Sequence, residues 1–191
     1  MLNSSLENIK VLSDSALSNS FLGDAIEICI VTRDYKRTME GLVRLGIGPW
    51  RVYTFSPETV TEQTYMGKPA EFSIKVCFAR AKNVIWEIMQ PLEGPTIFQE
   101  FLDQHDEGIH HIAFNCEDIP WEERLKEFEK RGFSLIQSGK WVDQNAFAFF
   151  GTEDATTTIF ETYYFPPDFD YPEPEEWFPA PPPESKESAG E

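Results

Sequence analysis

Apolar and polar residues alternate through AIEICIVT (Ala25–Thr32), the two-residue period of a strand with one buried face. Asp34 follows as a helix N-cap, and Met39, Leu42 and Val43 then recur at helical spacing until Gly46 offers a stop. GIGPWRVYTF (Gly46–Phe55) reads as a turn entering a strand, and the polar run Ser56–Ala70 as a loop. Two further strands follow, FSIKVCFA (Phe72–Ala79) and VIWEIMQ (Val84–Gln90), the second closed by Pro91. The order is strand, helix, strand, strand, strand.

The order then repeats. GIHHIAFN (Gly108–Asn115) is a strand, Asp118 an N-cap with Pro120 in the first turn, and Trp121, Leu125 and Phe128 form one helical stripe ended by Gly132. FSLIQSG, NAFAFFG and TTIFETYY (Thr157–Tyr164) supply three strands, and Pro166 closes the last. Between the halves, Ile97, Phe98 and Phe101 mark a linking helix. IEI (Ile26–Ile28) answers to HHI (His110–Ile112), and IWEIMQP (Ile85–Pro91) to IFETYYFP (Ile159–Pro166). Glu27 therefore corresponds to His111 and Glu87 to Glu161, and the Ser56–Ala70 insertion accounts for the longer first interval. The pattern predicts an α+β chain of two tandem βαβββ modules, residues 25–91 and 108–166, whose sheets form an open, cleft-lined, eight-stranded barrel. Residues 1–24 are an N-terminal extension, 92–107 the linker helix and 167–191 an acidic, proline-rich tail.

Composition narrows the class. The chain has 191 residues, 41% of them hydrophobic, enough for one sizeable core. No apolar run approaches the ~20 residues that span a bilayer. The start, MLNSSLENIKVLSDSALSNS, lacks the basic and apolar blocks of a signal peptide. Cys29, Cys77 and Cys116 are odd in number and lie in strand-like contexts, so free buried thiols and a cytoplasmic location are expected. A net charge of -17 argues against nucleic acid or an anionic membrane as partner. Eight Asp and Glu against one Lys fall from Pro166 onward. Phe169, Tyr171, Trp177 and Phe178 give Pro166–Pro179 a means of docking, whereas Ala180–Glu191 is expected to be disordered.

Candidate chemistry emerges from the repeat. Glu87 lies between Trp86 and Ile88, and Glu161 between Phe160 and Thr162, in runs that read as buried strand. One such glutamate would most simply be a salt-bridge partner or face solvent. Four polar, ligand-capable groups at four repeat-equivalent positions weaken that reading. Related by a pseudo-two-fold, Glu27, Glu87, His111 and Glu161 would meet at one centre. An imidazole with three carboxylates suits a divalent cation. Strand alternation turns His111 into the cleft with Ile109 and Ala113, and His110 to the back with Ile112 and Phe114. His110 is then structural and His105 exposed. The chain holds no glycine-rich phosphate loop, CxxC pair or Ser/His/Asp spacing.

Ala25 to about Pro166 resembles the vicinal oxygen chelate superfamily, which includes glyoxalase I, extradiol dioxygenases, bleomycin-resistance proteins and methylmalonyl-CoA epimerase. The likeness is strongest to the epimerases. It rests on WEIMQPLEGPTIFQEFLDQHDEGIHHIAFNCEDI (Trp86–Ile119), on the helix-to-GPW passage at Gly46–Trp50, and on TIFETYYFP near the end. The resemblance implies His111, Glu87 and Glu161 as metal ligands. Where the family usually offers a histidine in the opening strand, this chain has Glu27, either a fourth ligand or a free base. The glutamate base that the epimerases carry on the third strand has no counterpart in FSIKVCFA.

These readings lead to an isomerase or epimerase that abstracts a proton next to a carbonyl, with Glu161 and Glu27 transferring protons. The cofactor would be Mg, Mn, Co or Zn, unless the site has lost its metal. Trp50, Tyr53, Phe55, Trp86, Phe147, Phe149 and Phe150 suggest a cleft for a small apolar substrate, although most would serve equally as core. The alternatives are a non-catalytic small-molecule-binding protein with a vestigial metal site and, ranked lower, an extradiol-type dioxygenase. A homodimer is compatible with either.

Overall fold

The protein is described by a computed structural model covering residues 21–116 and 119–183. Asp118 and most of the segment expected to be disordered lie outside the described residues.

In the first module, β1 (Ala25–Val31) leads through α1 (Tyr35–Arg44) to β2 (Trp50–Phe55), β5 (Ser73–Arg80) and β6 (Ile85–Glu93), with β3 (Val60–Tyr65) and β4 (Lys68–Pro69) inserted. After α2 (Ile97–His105), the second module repeats the order with β7 (Gly108–Phe114), α3 (Trp121–Lys130), β8 (Leu135–Trp141), β9 (Asn145–Phe150) and β10 (Ile159–Tyr164). A short α4 (Glu153–Thr156) precedes β10, and β11 (Glu176–Phe178) follows it.

Alternation decides the two faces. Asp34 caps α1 by accepting from the Arg37 amide, and Met39, Leu42 and Val43 pack on Trp50, Cys77 and Ile88, on the outer face of β2, β5 and β6. In the second module Trp121, Leu125 and Phe128 cover Phe114, Phe150 and Phe160 in the same way. The helix α3 starts at Trp121, so Pro120 sits at its cap rather than in the first turn. The linker helix α2 serves the inner face instead, where Ile97, Phe98 and Leu102 join Cys29, Val31 and Phe149. Thr96 caps it by accepting from the Gln99 amide, and the side chain of Gln137 in β8 accepts from the Ile97 amide.

All the strands form one strongly curled sheet in the order β11-β2-β5-β6-β1-β7-β10-β9-β8-β3-β4. The eight repeat strands are its centre. Within the modules β1 runs parallel to β6 and β7 parallel to β10; the modules meet at the antiparallel pair β1–β7. The result is a half-barrel with α2 packed against its inner cluster.

Two sequence expectations need correction here. Ser56–Ala70 is not a loop but carries the β3–β4 hairpin, which extends the second module's edge by pairing with β8. Val60 and Gln63 turn inward in an otherwise polar strand, and Met66 and Gly67, with φ of 50° and 70°, make the two-residue turn that hairpins favour. Strand β6 also continues through Pro91 to Glu93. The register there passes from Ile74↔Pro91 to Ser73↔Glu93, an irregularity of the kind that accommodates a residue without an N–H.

The acidic tail crosses back from β10 to the first module. β11 pairs antiparallel with β2, and the Tyr53 hydroxyl donates to the Pro172 carbonyl at 3.0 Å. Lys75 pairs with Glu175 at 2.7 Å, and the Arg51 guanidinium lies 4.7 Å from the Tyr171 ring centre and 5.1 Å from that of Trp177. Among the described residues no helix is long and apolar enough to cross a membrane.

Candidate functional site

Strand register sets the site in two rows. In one row Cys29 is the partner of Glu87 on β6 and of His111 on β7. In the next, Glu27 and Glu161 both pair with Ala113, one from each side. All these side chains face the inner side, and the structure brings together all four expected groups. One ligating atom each from Glu27, Glu87, His111 and Glu161 lies within 4.8 Å of the others. Each of the four is at least 96% buried.

Burial makes this cluster electrostatically demanding. The His111 Nε2 stands 3.2 Å from Glu87 Oε2 and 3.1 Å from Glu161 Oε2. Burial acts to lower the His111 pKa, but the adjacent carboxylates of Glu161 and Glu87 overcome it and lift it to about 9. Burial, and then the neighbouring Glu87 and Glu161, push the Glu27 carboxyl well above the usual range. For Glu161, burial outweighs the opposing pull of His111 and the value rises to about 7. Three carboxyl groups crowd one imidazole, so the protein on its own holds protons at the site.

Despite its short distance to His111, Glu161 Oε2 makes no hydrogen bond of good geometry. An orphaned, buried carboxylate oxygen inside a four-donor cluster is what a cation site presents without its cation. The residues therefore fit a divalent metal.

His110 differs from expectation. It does not turn to the back with Phe114. The β1–β7 register passes from Cys29↔His111 to Ile30↔Ile109, which makes His110 an extra residue, a bulge that upsets simple alternation. Its Nδ1 meets His111 Nδ1 at 2.8 Å, and its ring packs edge-on against Phe98 and Phe101 of α2. Ile109 is 59% exposed and lies outside the cleft, whereas Ala113 is inside. His105 is half-exposed at the end of α2, near Glu153.

A cavity of about 50 Å³, open to solvent, lies over Glu27, Glu87 and Glu161. Its walls are mostly aromatic, with Phe55, Phe147 and Phe149 from the expected set. Trp50, Trp86 and Phe150 instead belong to the outer clusters, as alternation on their strands requires. Sequence reasoning missed Cys29, Tyr163 and Tyr171. Cys29 stands two residues from Glu27 on the same face, a signal that was available. Tyr163 bears the same relation to Glu161. Tyr171 reaches the cavity from the tail, and no period announces it.

A family model described as the Glyoxalase/Bleomycin resistance protein/Dioxygenase superfamily matches residues 27–149. An uncharacterized protein of Bacillus subtilis (strain 168), YqjC, is 32% identical over 79 residues, which is 41% of this chain and 49% of that protein. The chain thus spans about half the length of this curated relative. Among solved structures, the hypothetical protein BH1468 from Bacillus halodurans C-125 superposes with a TM-score of 0.58 at 20% identity, over 78% of this chain and 98% of that one. Methylmalonyl-CoA epimerase from Mycobacterium tuberculosis does so with a TM-score of 0.55 at 16% identity, over 78% and 93%. At these identities both likenesses concern the fold.

Proposed function

Because the chain belongs to the glyoxalase/bleomycin resistance protein/dioxygenase superfamily, we propose that it is a metal-assisted isomerase or epimerase that abstracts a proton adjacent to a carbonyl. The observation that carries this reading is the pair Glu27 and Glu161, flanking Ala113 at the base of a mostly apolar cavity. Two carboxyl groups poised on either side of one position let one remove a proton while the other returns it, as inversion at a carbon requires. Burial raises both pKa values above the ordinary carboxyl range, that of Glu161 to about 7, which suits Glu161 to act as acid as well as base.

Glu87 and His111, with Glu27 or Glu161 completing the set, would hold the cation. A bound Mg, Mn, Co or Zn ion would polarise the substrate carbonyl and stabilise the developing enolate charge. The aromatic walls would exclude water and seat the apolar part of the substrate. Among the described residues no lysine or arginine lines the cavity, which favours a small neutral compound over one whose anionic group enters the site.

Deuterium wash-in tests the proposal. Candidate thioesters and ketones bearing an acidic carbon–hydrogen bond are incubated with metal-loaded protein in heavy water and read by mass spectrometry. Catalysed incorporation next to the carbonyl supports an isomerase. Saturable binding without incorporation across the panel would favour a non-catalytic binding protein. That second reading has one specific observation behind it: the inward positions of β5 are Ile74, Val76 and Phe78, with no acid to replace the third-strand base.

A further inference from the structure

The cluster contains a fifth donor. Cys29 Sγ lies within 4.8 Å of ligating atoms of both Glu87 and His111, and all three residues are buried. The three occupy one row across β6, β1 and β7, with Cys29 in the middle as register partner of the other two. Glu27 and Glu161 form the neighbouring row, on either side of Ala113. From this division of rows the geometry points to Cys29, Glu87 and His111 as a thiolate–carboxylate–imidazole triad for a thiophilic divalent cation such as zinc, with Glu27 and Glu161 left for proton transfer.

This inference rests on the metal-assisted reading above and deepens it. Four donors with three carboxylates would commit both candidate bases to the metal and favour a hard ion. The alternative triad shares Glu87 and His111 and substitutes one soft sulfur for two oxygens. Thiolate and imidazole are the donors that zinc and cobalt prefer over magnesium. On binding, the Cys29 thiol gives its proton to solvent and the sulfur lone pair goes to the metal, with no oxidant or reductant involved.

The other two thiols supply an internal control. Cys77 packs with Met39 and Trp50 on the outer face, and Cys116 beside Phe128 under α3. Among the described residues neither belongs to a group of three potential metal ligands.

The test is cadmium titration of the full chain, with thiolate-to-metal charge-transfer absorption in the ultraviolet as one readout and bound cadmium by equilibrium dialysis as the other. Wild type and the variant C77A/C116A should develop the absorption to a plateau at one equivalent. Cys29→Ala and Cys29→Ser should lose it, and zinc should lose its advantage over magnesium. Should the Cys29 variants fail to fold, C77A/C116A, in which Cys29 is the sole remaining cysteine, still decides. Bound cadmium without the absorption would overturn the triad and leave the metal-assisted reading standing. An absorption that persists in folded Cys29→Ala would overturn it equally. No bound cadmium in the wild type would overturn both.

Discussion

Glu27 and Glu161 lie on different modules, yet both are register partners of Ala113, so their carboxyl groups meet across one small residue. The smallness of Ala113 matters. A larger inward side chain there would separate the two acids and fill the base of the cavity.

The first prediction follows from that pairing. Glu161→Gln keeps the shape and removes the proton acceptor, so turnover should fall by a factor of about 10² or more, with substrate binding little changed. Glu27→Gln should do the same if Glu27 is the second base. Glu27→His would instead exchange an oxygen donor for an imidazole and raise affinity for zinc relative to magnesium. Steady-state rates and metal affinities on the three variants separate these roles; a Glu27→Gln variant with wild-type rate and metal content would remove Glu27 from both.

His110 should act through His111. With Nε2 of His111 turned to the carboxylates, its Nδ1–H donates to His110 Nδ1 and fixes the ring. His110→Ala should therefore weaken metal binding by roughly 10- to 100-fold without abolishing it, whereas His111→Ala should abolish it. Calorimetric titration distinguishes the two. Equal loss in both variants would make His110 a direct ligand.

Stability should fall as pH rises in the metal-stripped protein. Glu161 at about 7 and His111 at about 9 are both raised from ordinary values of 4.5 and 6.5. Each contributes stability that is complete below its ordinary value and is lost as pH climbs through its raised one. Glu107, lowered to about 2 by Arg37 and by amide and hydroxyl donors at Arg33 and Thr32, contributes fully above 4.5 and does not tilt this window. Thermal melts of stripped protein should drop between pH 6.5 and 9, and Glu161→Gln should flatten the lower part; below 6.5 the His110 imidazole, whose pKa burial holds well below its ordinary value, acts in the opposite direction. Added metal should offset the drop most at high pH, where its ligands are deprotonated. A melting temperature that rises between pH 6.5 and 9 in the stripped protein would contradict this assignment.

The tail should detach locally when its anchors are cut. Tyr53→Phe removes the hydroxyl that donates to Pro172 and should cost about 1 kcal/mol. Arg51→Met removes the guanidinium between Tyr171 and Trp177 and should cost a comparable amount. The double variant should show faster proteolysis within residues 166–178 while the half-barrel keeps its protection. Unchanged cleavage would mean that the pairing of β11 with β2 alone holds the tail.

These anchors also show where sequence reasoning stops. Glu27, Glu87, His111 and Glu161 were legible because a two-residue period tells which face each occupies and the duplication relates them pairwise. The bulge at His110 was not, since two adjacent histidines look the same to an alternating pattern whichever one is extra. The β3–β4 hairpin hid behind polar residues, because only Val60 and Gln63 of β3 are buried. Tyr171 and Trp177 dock as single side chains on Arg51, a contact with no period at all. Cys29 was visible on the correct face but reads equally well as core.

Metal assistance at this site requires that the cluster hold a cation. Elemental analysis of protein dialysed against zinc, manganese and magnesium at neutral pH should find one divalent ion per chain, and none in His111→Ala that is otherwise folded. Wild-type protein that retains no ion under any of these conditions, or a His111→Ala variant that retains a full equivalent, would contradict the metal-assisted site proposed for this half-barrel.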